Sequence, residues 1–169
     1  MRKGQTSRVA IACAWGGYAL HGASVLATAF FHIWWIPLPI FASSISGTIA
    51  IALGVALYAV SITAFRSLDW ATGGRTGGLV TWGIYRFSRH PQYVGWTLIL
   101  LGVAIAGQSG LALLLTAVLP VILTFVVRLE EKELEVSFGE PFCNWRRRTP
   151  LLLGVPRPDN DLNIPTFPT

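Results

Sequence analysis

The residues best able to do chemistry lie close together, in the run Gly83-Ile84-Tyr85-Arg86-Phe87-Ser88-Arg89-His90-Pro91-Gln92-Tyr93-Val94-Gly95-Trp96. Pro91 suits the first position of a helix, since its φ is preset and its missing amide hydrogen would be unpaired there anyway. It also disfavours helical geometry at His90. His90 is therefore predicted to cap a helix, where free amides and the positive dipole end seat a carboxylate or phosphate. Tyr93 then falls one turn inside, and Gly95 lets a neighbouring helix or a ligand come close. Glu130 and Glu131 form a second group, far along the chain. For the two groups to act together, the intervening segment must fold back on itself.

The elements that do this are membrane spans. The chain is 53% hydrophobic and 12% charged over 169 residues, and its apolar runs are too long for the core of so small a soluble domain. Four spans are expected, at about 9–30, 37–65, 91–106 and 111–127, with Gly107-Gln108-Ser109-Gly110 as a tight turn between the last two. The aromatic stretch Phe31-His32-Ile33-Trp34-Trp35-Ile36-Pro37 between the first two has no formal charge and reads as an interfacial belt on the far side. Arg2, Lys3 and Arg8, the loop with Arg66, Arg75, Arg86 and Arg89, and the tail with Arg128 to Arg148 all fall on the opposite side. By the positive-inside rule that side, with both termini, is cytoplasmic. The basic start reads as the flank of a retained first helix, not as a signal peptide. Past the fourth span the helix is predicted to continue into the cytoplasm and stop near Gly139, with an irregular proline-rich tail from Pro150.

The net charge of +5 is explained by topology and anionic headgroups, and nucleic acid is not expected as a partner. Cys13 and Cys143 are too few and too ill-matched for a disulfide framework or a metal site, and no metal is expected. Arg86, Arg89 and His90 with Tyr85, Tyr93 and Trp96 also read as a plain headgroup-and-aromatic belt. Glu130 and Glu131 weigh against that reading, because acids do nothing for topology and a carboxylate facing the bundle wants a cation, either Arg89 or a positively charged ligand. Glu133 and Glu135 need no more than helix solubility. His21 in the first span reads more simply as hydrogen-bonded across the bundle than as a proton relay. Gly73-Gly74-Arg75-Thr76-Gly77-Gly78 lacks the lysine of a phosphate-binding loop and reads as flexible. Trp145-Arg146-Arg147-Arg148 is expected at headgroup level, with a secondary part in closing the site.

Two motifs in order carry a family resemblance. Leu79-Val80-Thr81-Trp82-Gly83-Ile84-Tyr85 followed by Arg89-His90-Pro91-Gln92-Tyr93-Val94-Gly95-Trp96 resembles the signature of the isoprenylcysteine carboxyl methyltransferase family and related membrane phospholipid methyltransferases. Glu130-Glu131, Leu134, Phe138-Gly139, Phe142 and Trp145 resemble that family's second half, so the likeness covers roughly 79–150. It implies an S-adenosyl-L-methionine-dependent enzyme whose cofactor is enclosed by the last two spans and the tail. By matching positions, Tyr85, His90, Pro91, Gln92 and Tyr93 contact the cofactor, Leu79 and Val80 line its pocket, and Glu130 binds its polar groups. The prenylcysteine enzymes carry an arginine one turn before the residue matching Glu130, where this chain has Val126. Arg128 substitutes for it, or the substrate lacks the carboxylate that arginine holds.

The expected fold is thus all-α, a polytopic bundle of about four membrane helices with a C-terminal cytoplasmic helix and tail, in one domain spanning 1–169. It divides into two N-terminal spans (1–65), a cytoplasmic loop (66–90), a helical hairpin with the cofactor-binding region (91–150) and a tail (151–169). The expected activity is methyl transfer to a lipophilic, lipid-like or small apolar acceptor that enters from the bilayer. Arg89, Arg128 and Glu131 are the catalytic candidates: an arginine orients an anionic acceptor, and Glu131, His90 or Tyr93 takes a proton from an amine or thiol. Membrane lipids are partners by default, and oligomeric state is not legible. The competing expectations are an NADPH-dependent reductase of sterol-reductase-like architecture and a non-catalytic protein that binds anionic lipid.

Overall fold

The computed structural model describes residues 8–65 and 78–157. Within them the chain forms five α-helices and no strand: α1 (Arg8–Phe30), α2 (Ile40–Thr63), α3 (Pro91–Ala106), α4 (Gly110–Phe138) and α5 (Glu140–Arg148), with a 3-10 turn at Gly83–Arg86 before α3. Arg66, Asp69, Arg75 and most of the glycine-rich loop lie outside the described residues. α2 and α4 are long and apolar enough to cross a membrane, and α3 is a shorter apolar helix. Much of their apolar surface is exposed, Leu53, Val121 and Phe125 among it, as lipid-facing residues are.

Each helix begins and ends where its residues require. Pro91 opens α3 behind His90, as the sequence predicts. Buried Ser109 caps α4 by accepting a hydrogen bond from the Ala112 amide at 3.2 Å. α4 runs on through Pro120 and stops at Gly139, whose φ of 60° suits a residue without Cβ. The sequence predicts no helix beyond Gly139; instead Glu140 and Pro141 start α5, a short cationic helix.

α2 and α3 meet backbone to backbone. A Cβ on Gly95 would stand 2.9 Å from the carbonyl oxygen of Gly54, and one on Gly102 would stand 2.5 Å from that of Gly47. Spaced seven apart on both helices, the four glycines make a seam that no larger residue fits. α1, α3 and α4 enclose the core of Val25, Ala29, Leu100, Ala104, Ala112, Leu119 and Leu123. The two uncharged turns lock together at one end: Gln108 donates to the Leu38 carbonyl and Ser43, Ser109 donates to the Ile33 carbonyl, and Trp35 donates to Gln108. The opposite end carries Arg89, the arginines of α5, Glu130 and Glu131.

Candidate active site

The capping position of α3 and the last turns of α4 bring the two sequence clusters into contact. Arg89, just before the cap, pairs with Glu131 through Nη1 and Oε1. Their side chains are only 15% and 13% exposed, so water screens the pair less than it would a surface one. Burial pulls the proton affinity of the Arg89 guanidinium down, and Glu131 beside it works the other way. His90 is 7% exposed, and its ring sits between both acids: Nδ1 is 3.6 Å from Glu130 Oε2 and Nε2 is 3.5 Å from Glu131 Oε1. Its amide donates to Ser88 Oγ at 3.2 Å, which fixes the backbone entering the helix. One turn in, Tyr93 donates its hydroxyl to Glu130 Oε1 at 2.5 Å. The rings of His90 and Tyr93 lie nearly parallel, 5.6 Å apart with 9° between planes.

Tyr18 of α1 extends this stack. Its ring lies 5.9 Å from that of Tyr93 at 23°, so Tyr18, Tyr93 and His90 form a ladder leading to the two glutamates. The sequence alone assigns α1 no role in the site. The only signal present is its position, a tyrosine inside a largely apolar helix, and nothing in the sequence says which helix it faces.

A second layer supports the first. Buried Val80 packs with Ala64 and Tyr85. Tyr85 is held by Trp145, whose indole donates to its carbonyl at 3.1 Å, while its hydroxyl reaches the Ser61 carbonyl at 3.5 Å. Burial, with Glu130 nearby, pushes the Tyr85 phenol well above its ordinary pKa, so it stays protonated. Phe142 is fully buried against Trp145 and carries the Arg146 guanidinium 5.4 Å from its ring centre. Leu79 and Gln92 are half-buried, and Pro91 is buried at the cap.

Of the sequence-predicted residues, Arg89, His90, Tyr93, Glu130 and Glu131 converge, with Val80, Tyr85 and Pro91 around them. Arg128 stands apart, exposed on α4 with its guanidinium 6.0 Å from the Phe125 ring centre. Gly95 serves the approach of α2. Chemically, the cluster offers two carboxylates, a ring with a nitrogen toward each, and flat aromatic faces. Such a set holds a cation and binds polar groups at the water boundary, with an apolar bundle behind it.

The chain is 35% identical over 69 residues to the methanethiol S-methyltransferase of Crocosphaera subtropica. That stretch is 41% of this chain and 26% of the relative, so the match spans about a quarter of the relative's length. No solved structure matches the chain. A family model described as phospholipid methyltransferase matches residues 42–141, more than half of the 169, and the chain belongs to that family of membrane methyltransferases.

Proposed function

We propose that the protein is an S-adenosyl-L-methionine-dependent methyltransferase that acts on a lipid-like or small apolar acceptor at the cytoplasmic face of the membrane. The observation that carries this reading is the convergence of Arg89, His90, Tyr93, Glu130 and Glu131, all inside the family-matched segment, where the apolar bundle gives way to polar residues. A sulfonium is a cation, and carboxylates beside stacked aromatic faces are groups that hold one. His90, Gln92, Tyr93 and Glu130 would hold the cofactor, backed by Leu79, Val80, Tyr85 and Pro91. Bound there, it supplies a methyl group already activated for displacement.

The remaining work belongs to the chain: to align the acceptor in line with that methyl group and to exclude water. Arg89 orients an anionic acceptor, while Arg128, which stands apart from the cluster, is not assigned that part. An amine or thiol acceptor gives its proton to His90 or Glu131, since the Tyr93 hydroxyl already carries its proton and donates it to Glu130. With Val126 in place of a carboxylate-binding arginine, an acceptor without a carboxylate is favoured, and the name of the relative adds a small thiol to the candidates. In this reading α1 to α4 all cross the bilayer and both termini are cytoplasmic. α3, at about 24 Å for its 16 residues, is short for a core of about 30 Å and needs its flanking turns to complete the crossing.

The test is calorimetric titration of the detergent-purified protein with S-adenosylhomocysteine. Wild-type binding that weakens by about tenfold in both His90→Ala and Glu130→Ala, roughly 1.4 kcal/mol each, supports the proposal. A folded wild-type protein that ignores S-adenosylhomocysteine but binds NADPH overturns it in favour of a reductase, and one that binds neither overturns it in favour of a non-catalytic role.

A further inference from the structure

The segment after α5 folds back across the loop that precedes α3 and forms one wall of a partly open cavity there. Its backbone is tied at several points: the Arg89 amide donates to the Pro150 carbonyl at 3.0 Å, the Gly154 amide to the Phe87 carbonyl at 2.9 Å, and the Arg157 amide to the Arg148 carbonyl at 2.9 Å. Ser88 Oγ adds a longer contact to the Leu151 carbonyl at 3.4 Å. The cavity measures about 530 Å³, and its walls include Arg89, Arg146, Arg147, Arg148 and Arg157 but no carboxylate.

Five guanidinium groups around one cavity repel one another, yet the backbone bonds hold the segment down over them. Two carboxylates outside the cavity offset part of this charge, Glu131 on Arg89 and Glu135 on Arg146 at 2.8 Å. Arg147 bonds only to the neutral amide oxygen of Asn144 among the described contacts. The buried Nε of Arg89 adds an unpartnered donor. Several forked donors with a surplus of positive charge match an anion that bears several oxygens, and phosphate is the group such forks fit best.

The rim says where the phosphate comes from. Leu152, Leu153 and Val155, in the same short turn that covers the cavity, are 60%, 49% and 86% exposed. Apolar side chains standing out beside an arginine pocket, at the membrane face of a bundle, suit the boundary between acyl chains and headgroups. A soluble phosphate has no use for them.

We propose that this cavity binds the phosphate of an anionic lipid headgroup, with Arg147 and Arg157 as principal donors and Leu152, Leu153 and Val155 set into the interface beside it. The assignment does not depend on whether the neighbouring site transfers methyl groups. Calorimetric titration of the detergent-purified full chain with dihexanoylphosphatidylglycerol, dihexanoylphosphatidylcholine and inorganic phosphate tests it. Phosphatidylglycerol is expected to bind about tenfold more tightly than either other probe. The double variant Arg147→Gln with Arg157→Gln should lose that margin, again about tenfold. The charge-matched control Arg86→Gln with Lys132→Gln, whose residues lie outside the cavity, should keep it. Arg147→Lys with Arg157→Lys preserves the charge but not the fork, so it should bind more weakly than wild type yet more tightly than the glutamine variant, and that intermediate affinity separates loss of the site from loss of the fold. Inorganic phosphate binding as tightly as phosphatidylglycerol overturns the lipid assignment. Equal binding of the two lipids overturns the charge selectivity, and unchanged affinity in the double glutamine variant overturns the site itself.

Discussion

The hydroxyl of Tyr93 on α3 meets the carboxylate of Glu130 on α4 at 2.5 Å, with His90 facing the other carboxylate oxygen across 3.6 Å. The hairpin places these groups together although 37 residues separate the tyrosine from the glutamate. A hydrogen bond to a charged group contributes about 1.5–3 kcal/mol, so its loss should be measurable. Tyr93→Phe keeps the ring and its stacking while removing the donor. In calorimetry with S-adenosylhomocysteine, Tyr93→Phe is expected to weaken binding by about tenfold, with thermal stability changed less than in Tyr93→Ala. Wild-type affinity in Tyr93→Phe would show that the hydroxyl serves only the fold.

Arg89 and Glu131 form the other half of the cluster, and their largely buried pairing sets a different expectation. Removing one partner leaves the other's charge without compensation, which costs about 3–5 kcal/mol for a buried pair; near the membrane face the lower end applies. Arg89→Ala and Glu131→Ala are each expected to lower the melting temperature clearly, and the double variant by much less than the sum. A thermal-melt double-mutant cycle gives the coupling. Strict additivity would mean that the pair is incidental.

The glycine seam makes a prediction about the fold alone. Gly95 and Gly102 have no space for a side chain against Gly54 and Gly47. Gly102→Leu should force α2 and α3 apart, with a loss of several kcal/mol read as a sharp fall in monodisperse protein after purification. Gly78→Leu, at a position with open space around it, is the control expected to purify normally.

How much of the fold and the site is legible in the sequence depends on range along the chain. The start of α3 at Pro91 and the stop of α4 at Gly139 follow from local backbone chemistry, and both stand where the residues say. His90, Tyr93 and the glutamates are legible as a site because one tight turn, Gly107 to Gly110, fixes how the two helices pair. The use of Gly95 is not, since a glycine in a helix permits approach without naming what approaches. α5 escapes a sequence reading because its nine residues are too few for a periodic pattern to stand out and three of them are arginines. The locking of the two far turns depends on side-chain partners about 70 residues apart, such as Gln108 and Leu38, and no local rule reaches that far.

Tyr18 is the strongest instance of that limit, and it carries the last prediction. α1 adds a second ring stacked with Tyr93, which also stacks with His90. If that ring sets the tilt of Tyr93, its effect reaches the Glu130 hydrogen bond without touching it. Tyr18→Ala removes a stacked pair that contributes about 0.5–1.5 kcal/mol beyond burial and should weaken S-adenosylhomocysteine binding by about threefold to tenfold. Tyr18→Phe keeps the ring but loses the hydroxyl that bonds Tyr93, so it should fall between wild type and Tyr18→Ala. The informative comparison is Tyr18→Ala in the Tyr93→Phe background. If Tyr18 acts through the tilt of the Tyr93 hydroxyl, the second substitution adds little once that hydroxyl is gone. If the two losses simply add, Tyr18 contributes packing to the bundle, and α1 is a wall of the site but does not position it.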